Sequence, residues 1–194
     1  MRRHRTPDRS PVCRLLIAAG ALAALVAGAA PARASNYVGD HMDDFTLPDL
    51  DGVPVSLYDF SGDIVVVNFF ATWCPPCNEE AQSLEHDIWR AYAPYQVTVL
   101  AIDMQESLNV VRNWVAGQQL TYPVVRAAEW NIFSRFPYAG GLPYHAIIDR
   151  AGVLRSGHVG FERDVRLQML DELTGGTPVR AEPSSWGAVQ ALFR

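Results

Sequence analysis

Ile64-Val65-Val66-Val67-Asn68-Phe69-Phe70-Ala71-Thr72-Trp73-Cys74-Pro75-Pro76-Cys77 is the stretch that decides how this 194-residue chain folds. Its first seven residues are apolar except for Asn68, rich in β-branched side chains, and preceded by Ser61-Gly62-Asp63. That is the pattern of a strand buried on both faces, as in a parallel sheet. From Cys77 the period changes. Cys77, Ala81, Leu84, Ile88 and Ala91 recur at steps of three and four, which predicts an amphipathic helix ending by Pro94. The strand-to-helix junction therefore falls on the two cysteines.

That placement has chemical consequences. Cys74 stands at or just before a helix N-terminus, where unpaired N–H groups and the macrodipole favour a thiolate. The thiolate is the species that attacks a disulfide. Cys77, one turn along, can reach Cys74 and close a small ring. Pro76 suits a helix start because the N–H it lacks would have no partner there. A static bridge over so short a loop would remove little chain entropy and stabilise little. A zinc site would need a second Cys or His pair at ligand spacing. The pattern points to redox exchange.

Working outward, Phe45-Thr46-Leu47 and Val53 to Leu57 alternate around Asp51-Gly52, which predicts a short hairpin before the first long strand. Val97–Ile102 reads as a second buried strand. Leu108, Val111, Trp114 and Val115 mark a second helix ending near Gly117. Tyr122–Val125 is a candidate short strand and Trp130–Phe136 a helical turn. His145–Ile148 and Val153–Val159 are strands joined by Asp149-Arg150-Ala151-Gly152. Val165, Met169, Leu170 and Leu173 mark a last helix capped by Gly175. The order β-α-β-α-β-β-α after a hairpin is an α/β architecture, with the first two long strands side by side or nearly so.

All 16 basic residues are Arg and there is no Lys. Schiff-base lysine chemistry and a phosphate-holding P-loop lysine are thereby excluded. A formal charge of −5 argues against nucleic acid as a partner. Residues 1–34 combine five early Arg, an apolar run from Leu15 to Ala30 and an Ala32-Arg33-Ala34 ending. This reads as a secretory signal cleaved before Ser35, or as an uncleaved membrane anchor. Cys13 leaves with a cleaved signal, and the remaining 160 residues carry ten Arg and 20 acids, a net −10. Residues 35–44 read as a solvated polar leader rather than a metal site built from Asp40, His41, Asp43 and Asp44. Residues 45–180 form the expected domain. Residues 181–194 form a tail with Trp186, Val189, Leu192 and Phe193 at helical spacing, read as a short helix packed on the domain.

The segment Asn68 to Cys77 resembles the active-site segment of thioredoxin-fold proteins, and more closely the TlpA/ResA group of exported thiol–disulfide oxidoreductases, which includes cytochrome c maturation reductants. The resemblance runs from about Phe45 to Phe161. It takes in the Phe-Thr-Leu-x-x-Leu-Asp-Gly opening, the Leu57–Gly62 turn, and Gly141-Leu142-Pro143 ahead of Ile147-Ile148-Asp149. It implies a thioredoxin fold, a central mixed sheet flanked by helices with an added N-terminal hairpin, in which Pro143 is a cis-proline facing the cysteines. It implies Cys74 and Cys77 as the catalytic pair, with Trp73, Pro75, Leu142, Pro143 and Tyr144 framing a docking surface. Glu80 matches an acidic position of these reductants. It reads as the carboxylate that handles the proton of Cys77, or as a helix-start acid like Glu79. Asn68 stands where ordinary thioredoxins carry a buried Asp, and an Asn cannot take a proton. His145 reads as a groove residue or as a packed core residue. Trp89, Trp114 and Trp130 read as packing. No cofactor or metal is implied. The implied partners are exported proteins such as apocytochrome c, with a membrane thiol–disulfide donor, in an extracytoplasmic compartment such as the bacterial periplasm. Two rival readings are an oxidant that forms disulfides and a non-catalytic binding or assembly module.

Overall fold

The computed structural model describes residues 36–175. The expected signal or anchor and the expected tail helix lie outside the described residues. Among the described residues no helix is long and apolar enough to cross a membrane.

A short antiparallel hairpin, β1 (Thr46–Pro48) and β2 (Pro54–Ser56), precedes the main sheet. A capped 3-10 turn, Leu57–Phe60, leads out of it. The main sheet has five strands in the order β5-β4-β3-β6-β7. They are β3 (Ile64–Phe70), β4 (Val97–Met104), β5 (Val124–Ala127), β6 (Tyr144–Ile148) and β7 (Leu154–Val159). β3, β4 and β5 run parallel, and β6 and β7 are antiparallel to their neighbours. The sequence places the two long apolar strands side by side or nearly so, and β3 pairs β4 directly, from Ile64–Val97 to Phe70–Asp103. α1 (Pro75–Ser83) follows β3 and continues as a wider π-helical stretch, Leu84–Arg90. α2 (Leu108–Gln118) and α3 (Arg163–Thr174) complete the helices, and Gly175 closes α3 at φ 72°.

Alternation along β3 sorts the core into two layers. Ile64, Val66 and Phe70 face a cluster that holds the buried side chains of all three helices, among them Ala81, Val111, Leu167 and Leu170. Val65, Val67 and Phe69 face a second cluster, built from Met42, Phe45, Leu57, Phe133 and Phe136. Helices thus cover one face, while the N-terminal segment and a 3-10 turn, Phe133–Arg135, cover the other.

Two expectations need correction. α3 is phased differently from the apolar pattern: Val165 is 53% exposed, and Arg166, Leu167 and Leu170 are the buried residues. The stretch expected as a solvated leader is docked from Asn36 onward. Asn36 and Met42 are fully buried. Gly39 N–H donates to Leu154 C=O at 2.8 Å, Leu154 N–H to Asp40 C=O at 2.9 Å, and Met42 N–H to Gly152 C=O at 2.9 Å. Asp44 accepts from the Ser56 hydroxyl and the Tyr58 N–H. The polar letters of this stretch satisfy main chain, and Met42 supplies the apolar anchor. The His41 ring lies so close to Gly152, at φ +77°, that a Cβ there would overlap it.

If this strap is part of the fold, Met42→Ala destabilises the domain by about 2–5 kcal/mol. Val38→Ala, on an exposed neighbour, changes stability by less than about 0.5 kcal/mol. Urea midpoints of the two variants check this, and equal midpoints would show the strap to be dispensable.

Candidate active site

The chain leaves β3 through Ala71-Thr72-Trp73 and turns into α1 at Cys74, which is the N-cap residue. Pro75 and Pro76 occupy the first helical positions, and Cys77 N–H donates to Cys74 Sγ at 3.3 Å. The two cysteines form a disulfide with Cα atoms 5.3 Å apart. Neighbouring elements fix the loop. Glu106 accepts from Thr72 N–H at 2.5 Å and from the Thr72 hydroxyl at 2.6 Å. Asn78 Nδ2 donates to the carbonyls of Thr72 and Cys74 at 3.0 and 2.9 Å. Trp114, stacked on Phe70 at 4.6 Å, donates its indole N–H to Asn78.

The Leu142–Pro143 peptide is cis, and Leu142 lines the same groove as Cys74. An open, mostly apolar groove runs past Cys74, lined by Trp73, Pro75, Trp130, Phe133 and Leu142. Trp73 is 68% exposed and Trp130 46% exposed. Cys77 does not line this groove.

Tyr144 does not belong there. It is fully buried beneath Phe133, on the sheet face away from the helices, where its hydroxyl donates to Pro137 C=O at 2.7 Å and its ring packs on Phe69, Phe133 and Phe136. Burial raises its phenol above the ordinary range. The reason is register: Tyr144 pairs with Phe69 and His145 with Asn68, so the two residues point to opposite faces. Gly157, across from Ala146, is the residue that leaves space for the Tyr144 hydroxyl.

His145 points to the α1 side and is completely buried. Its Nε2 lies 2.9 Å from Glu80 Oε2, while Asn68 Nδ2 donates to Glu80 Oε1 at 2.8 Å. Glu80 is therefore not a solvated helix-start acid. It is 1% exposed, one turn beyond Cys77 on the same inner face of α1. Burial pushes its carboxyl up to about 8, against the pull of the Arg166 cation and the Asn68 hydrogen bond. Burial also holds the His145 imidazole well below its usual range, aided by Arg166 and His158. Burial thus favours the uncharged form of both groups, and in its acid form the Glu80 carboxyl donates to His145 Nε2. Asp103, buried beside Glu106, is pushed up to about 7 by burial. Among the described residues no group of His, Cys, Asp and Glu is placed to hold a metal ion.

Sequence reading missed the groove contributions of Trp130 and Phe133, the Glu106–Thr72 clasp and the burial of Arg166. Each depends on a contact across many residues and leaves no local pattern.

Comparisons with known proteins agree with this architecture. Residues 38–156 match the model of the AhpC/TSA family. The chain is 28% identical over 155 residues to the thiol–disulfide oxidoreductase ResA of Bacillus thuringiensis (strain Al Hakam), covering 79% of this chain and 88% of that protein. It is 32% identical over 130 residues to the thioredoxin-like protein YneN of Bacillus subtilis, covering 63% of this chain and 71% of that one. A crystal structure of a thiol:disulfide interchange protein of the thioredoxin family from Chlorobium tepidum superposes with a TM-score of 0.61 at 26% identity. That match covers 73% of this chain and all of the other.

The Glu80 carboxyl makes a signed prediction. The unfolded chain releases this proton near 4.5, the folded chain near 8. Between those values the native state holds the extra proton, so stability falls as pH rises. Asp103 acts in the same direction up to about 7. Glu80→Gln mimics the protonated acid and removes the Glu80 share. From pH 7 to 8.5 the melting temperature of the parent should fall more steeply than that of the variant. Parallel curves would mean that Glu80 titrates as an ordinary carboxyl.

Proposed function

The chain belongs to the AhpC/TSA family and is a protein thiol–disulfide oxidoreductase, and from that premise we propose that its Cys74–Cys77 pair reduces disulfides in exported proteins. The observation that carries this reading is the asymmetry of the pair: Cys74 opens onto an apolar groove at a helix N-terminus, and Cys77 lies behind it.

In the reduced enzyme the Cys74 thiolate, favoured by the α1 dipole, attacks one sulfur of a partner disulfide. A Cys74–partner disulfide forms and the other partner sulfur leaves as thiolate. Cys77 then passes its proton to Glu80 in its carboxylate form, which is populated as pH rises toward about 8, and its thiolate attacks Cys74. The Cys74–Cys77 bond forms, the mixed disulfide breaks, and the partner departs with both sulfurs reduced. Two electrons move from the enzyme to the partner, and the released thiolates take up protons. A membrane thiol–disulfide donor returns the enzyme to the dithiol form. Neither step needs a cofactor.

Trp73, Pro75 and Leu142 frame the docking surface, joined by Trp130 and Phe133 in place of Tyr144, and Pro143 is buried next to Leu142. Leu142 lines the same groove as Cys74, and its backbone is the edge with which an extended partner segment would pair. The partner class is an exported cysteine-bearing protein, apocytochrome c among them. The compartment is extracytoplasmic, with residues 1–34 serving as the export signal or tether. The resemblance to ResA-type oxidoreductases and the basic-then-apolar N-terminus support both assignments.

Trapping tests this. Cys77→Ser, expressed with its own N-terminus, should accumulate mixed disulfides through Cys74 with exported proteins, c-type apocytochromes included. Cys74→Ser should trap nothing and lose insulin reduction to background. Recovery of partners by Cys74→Ser, or full activity of that variant in cells, would favour a binding module instead.

A further inference from the structure

The Glu80–His145 pair does not stand alone. His145 belongs to a buried polar cluster drawn from five elements. Its ring centroid lies 6.1 Å from that of Phe161 and 6.1 Å from that of His158 on β7. Arg166 of α3 stacks its guanidinium over the same Phe161 ring, 4.7 Å from the centroid. Arg166 is 1% exposed, and among the described residues its Nε and both terminal nitrogens have no hydrogen-bond partner. Burying a guanidinium is costly unless an anion compensates it. Stacking on one ring does not replace hydration.

The groups that face this space can be named element by element. α1 contributes Glu80, β3 the neutral amide of Asn68, β6 His145 and β7 His158. Tyr122, ahead of β5, is a buried phenol held far above its ordinary range, with Glu80 and Glu85 adding to the burial effect. Glu162, at the start of α3, is the remaining acid that acts on Arg166. Both histidines are held below their ordinary range, by burial first and by Arg166 next. Glu80 is thus the one buried acid in a space that already holds a fixed cation.

We propose that Arg166 is a positioning residue for thiol–disulfide exchange: its unpartnered buried cation, across Phe161 and His145 from Glu80, keeps the Glu80 proton labile enough to be exchanged with Cys77. The inference rests on the assignment of Glu80 as the proton acceptor of Cys77. Removing the cation takes away one pull that lowers Glu80, so burial would hold it more firmly as a carboxylic acid and make it a poorer proton acceptor. With the cation, the carboxylate is reached at mildly alkaline pH. The step balances as a proton transfer only: the Cys77 S–H bond breaks, the Glu80 O–H bond forms, and no electrons move until Cys77 attacks Cys74.

The test titrates Glu80 directly. Carboxyl-labelled glutamate is followed by NMR from pH 5 to 10 in the full-length disulfide form, where no thiol titrates, and Glu80→Gln assigns the resonance. Arg166→Leu should move the Glu80 midpoint upward by at least one pH unit, a tenfold change in proton affinity. Arg166→Gln, with similar reach and a better chance of folding, should do the same. Arg166→Lys should restore most of the parent midpoint. An unmoved midpoint in a folded Arg166→Leu or Arg166→Gln protein would overturn the proposal and leave Arg166 a packing residue. The premise is read separately. Glu80→Gln should slow resolution of a preformed Cys74 mixed disulfide, and resolution at the parent rate would remove Glu80 from the reaction whatever Arg166 does to its titration.

Discussion

The Glu80 carboxyl, closed between Asn68 and His145, is the constraint on which the rest of the site hangs. It ties the inner face of α1 to the two central strands, β3 and β6, by hydrogen bonds of 2.8 and 2.9 Å. A carboxylate there would lack water, and a neutral acid with two partners does not need it. The helix that carries the cysteines is therefore docked through a group whose charge can change. The docking and the proton chemistry of the dithiol are one feature of the fold.

Around this point the structure separates tasks by face. The helix-covered face holds Glu80, His145 and Arg166, shut away from solvent. The junction of β3 and α1 holds the cysteines, and its loop is clasped by Glu106 and Asn78 rather than left to fluctuate. The groove beyond it is apolar and open, with two partly exposed tryptophans beside Cys74. A surface of this kind can accept varied extended segments, while the chemistry behind it stays fixed.

Much of this was legible in the sequence because it is local. The run Ile64–Phe70 reads as a buried strand from its composition, and the two prolines and two cysteines mark the helix start within five residues. The succession of elements along the chain followed from the same periodicities, whereas the sheet order beyond the first two long strands did not. What escaped was set by register and by long-range contact. Whether Tyr144 or His145 faces the helices depends on which of them pairs with Asn68, and one position of slip exchanges the two faces. Asn36 to Asp44 looks like a solvated leader because the main-chain partners of Gly39, Asp40 and Met42, which are Gly152 and Leu154, lie more than a hundred residues downstream. Arg166 sits beside Val165 in a helix whose apolar letters suggest a different inward face. Its burial follows from the ring of Phe161 and the polar cluster beneath, and neither can be seen along α3 alone.

The central claim is that Cys74 and Cys77 form a reducing couple, and the reduction potential measures it most directly. The purified protein would be equilibrated with thiol redox buffers and the dithiol and disulfide forms counted by mass. A reducing couple shows a single reversible two-electron transition at about −270 mV, the value of thioredoxin. A value near −120 mV, that of a strong disulfide-forming oxidant, or a pair that does not exchange with the buffer, would contradict it.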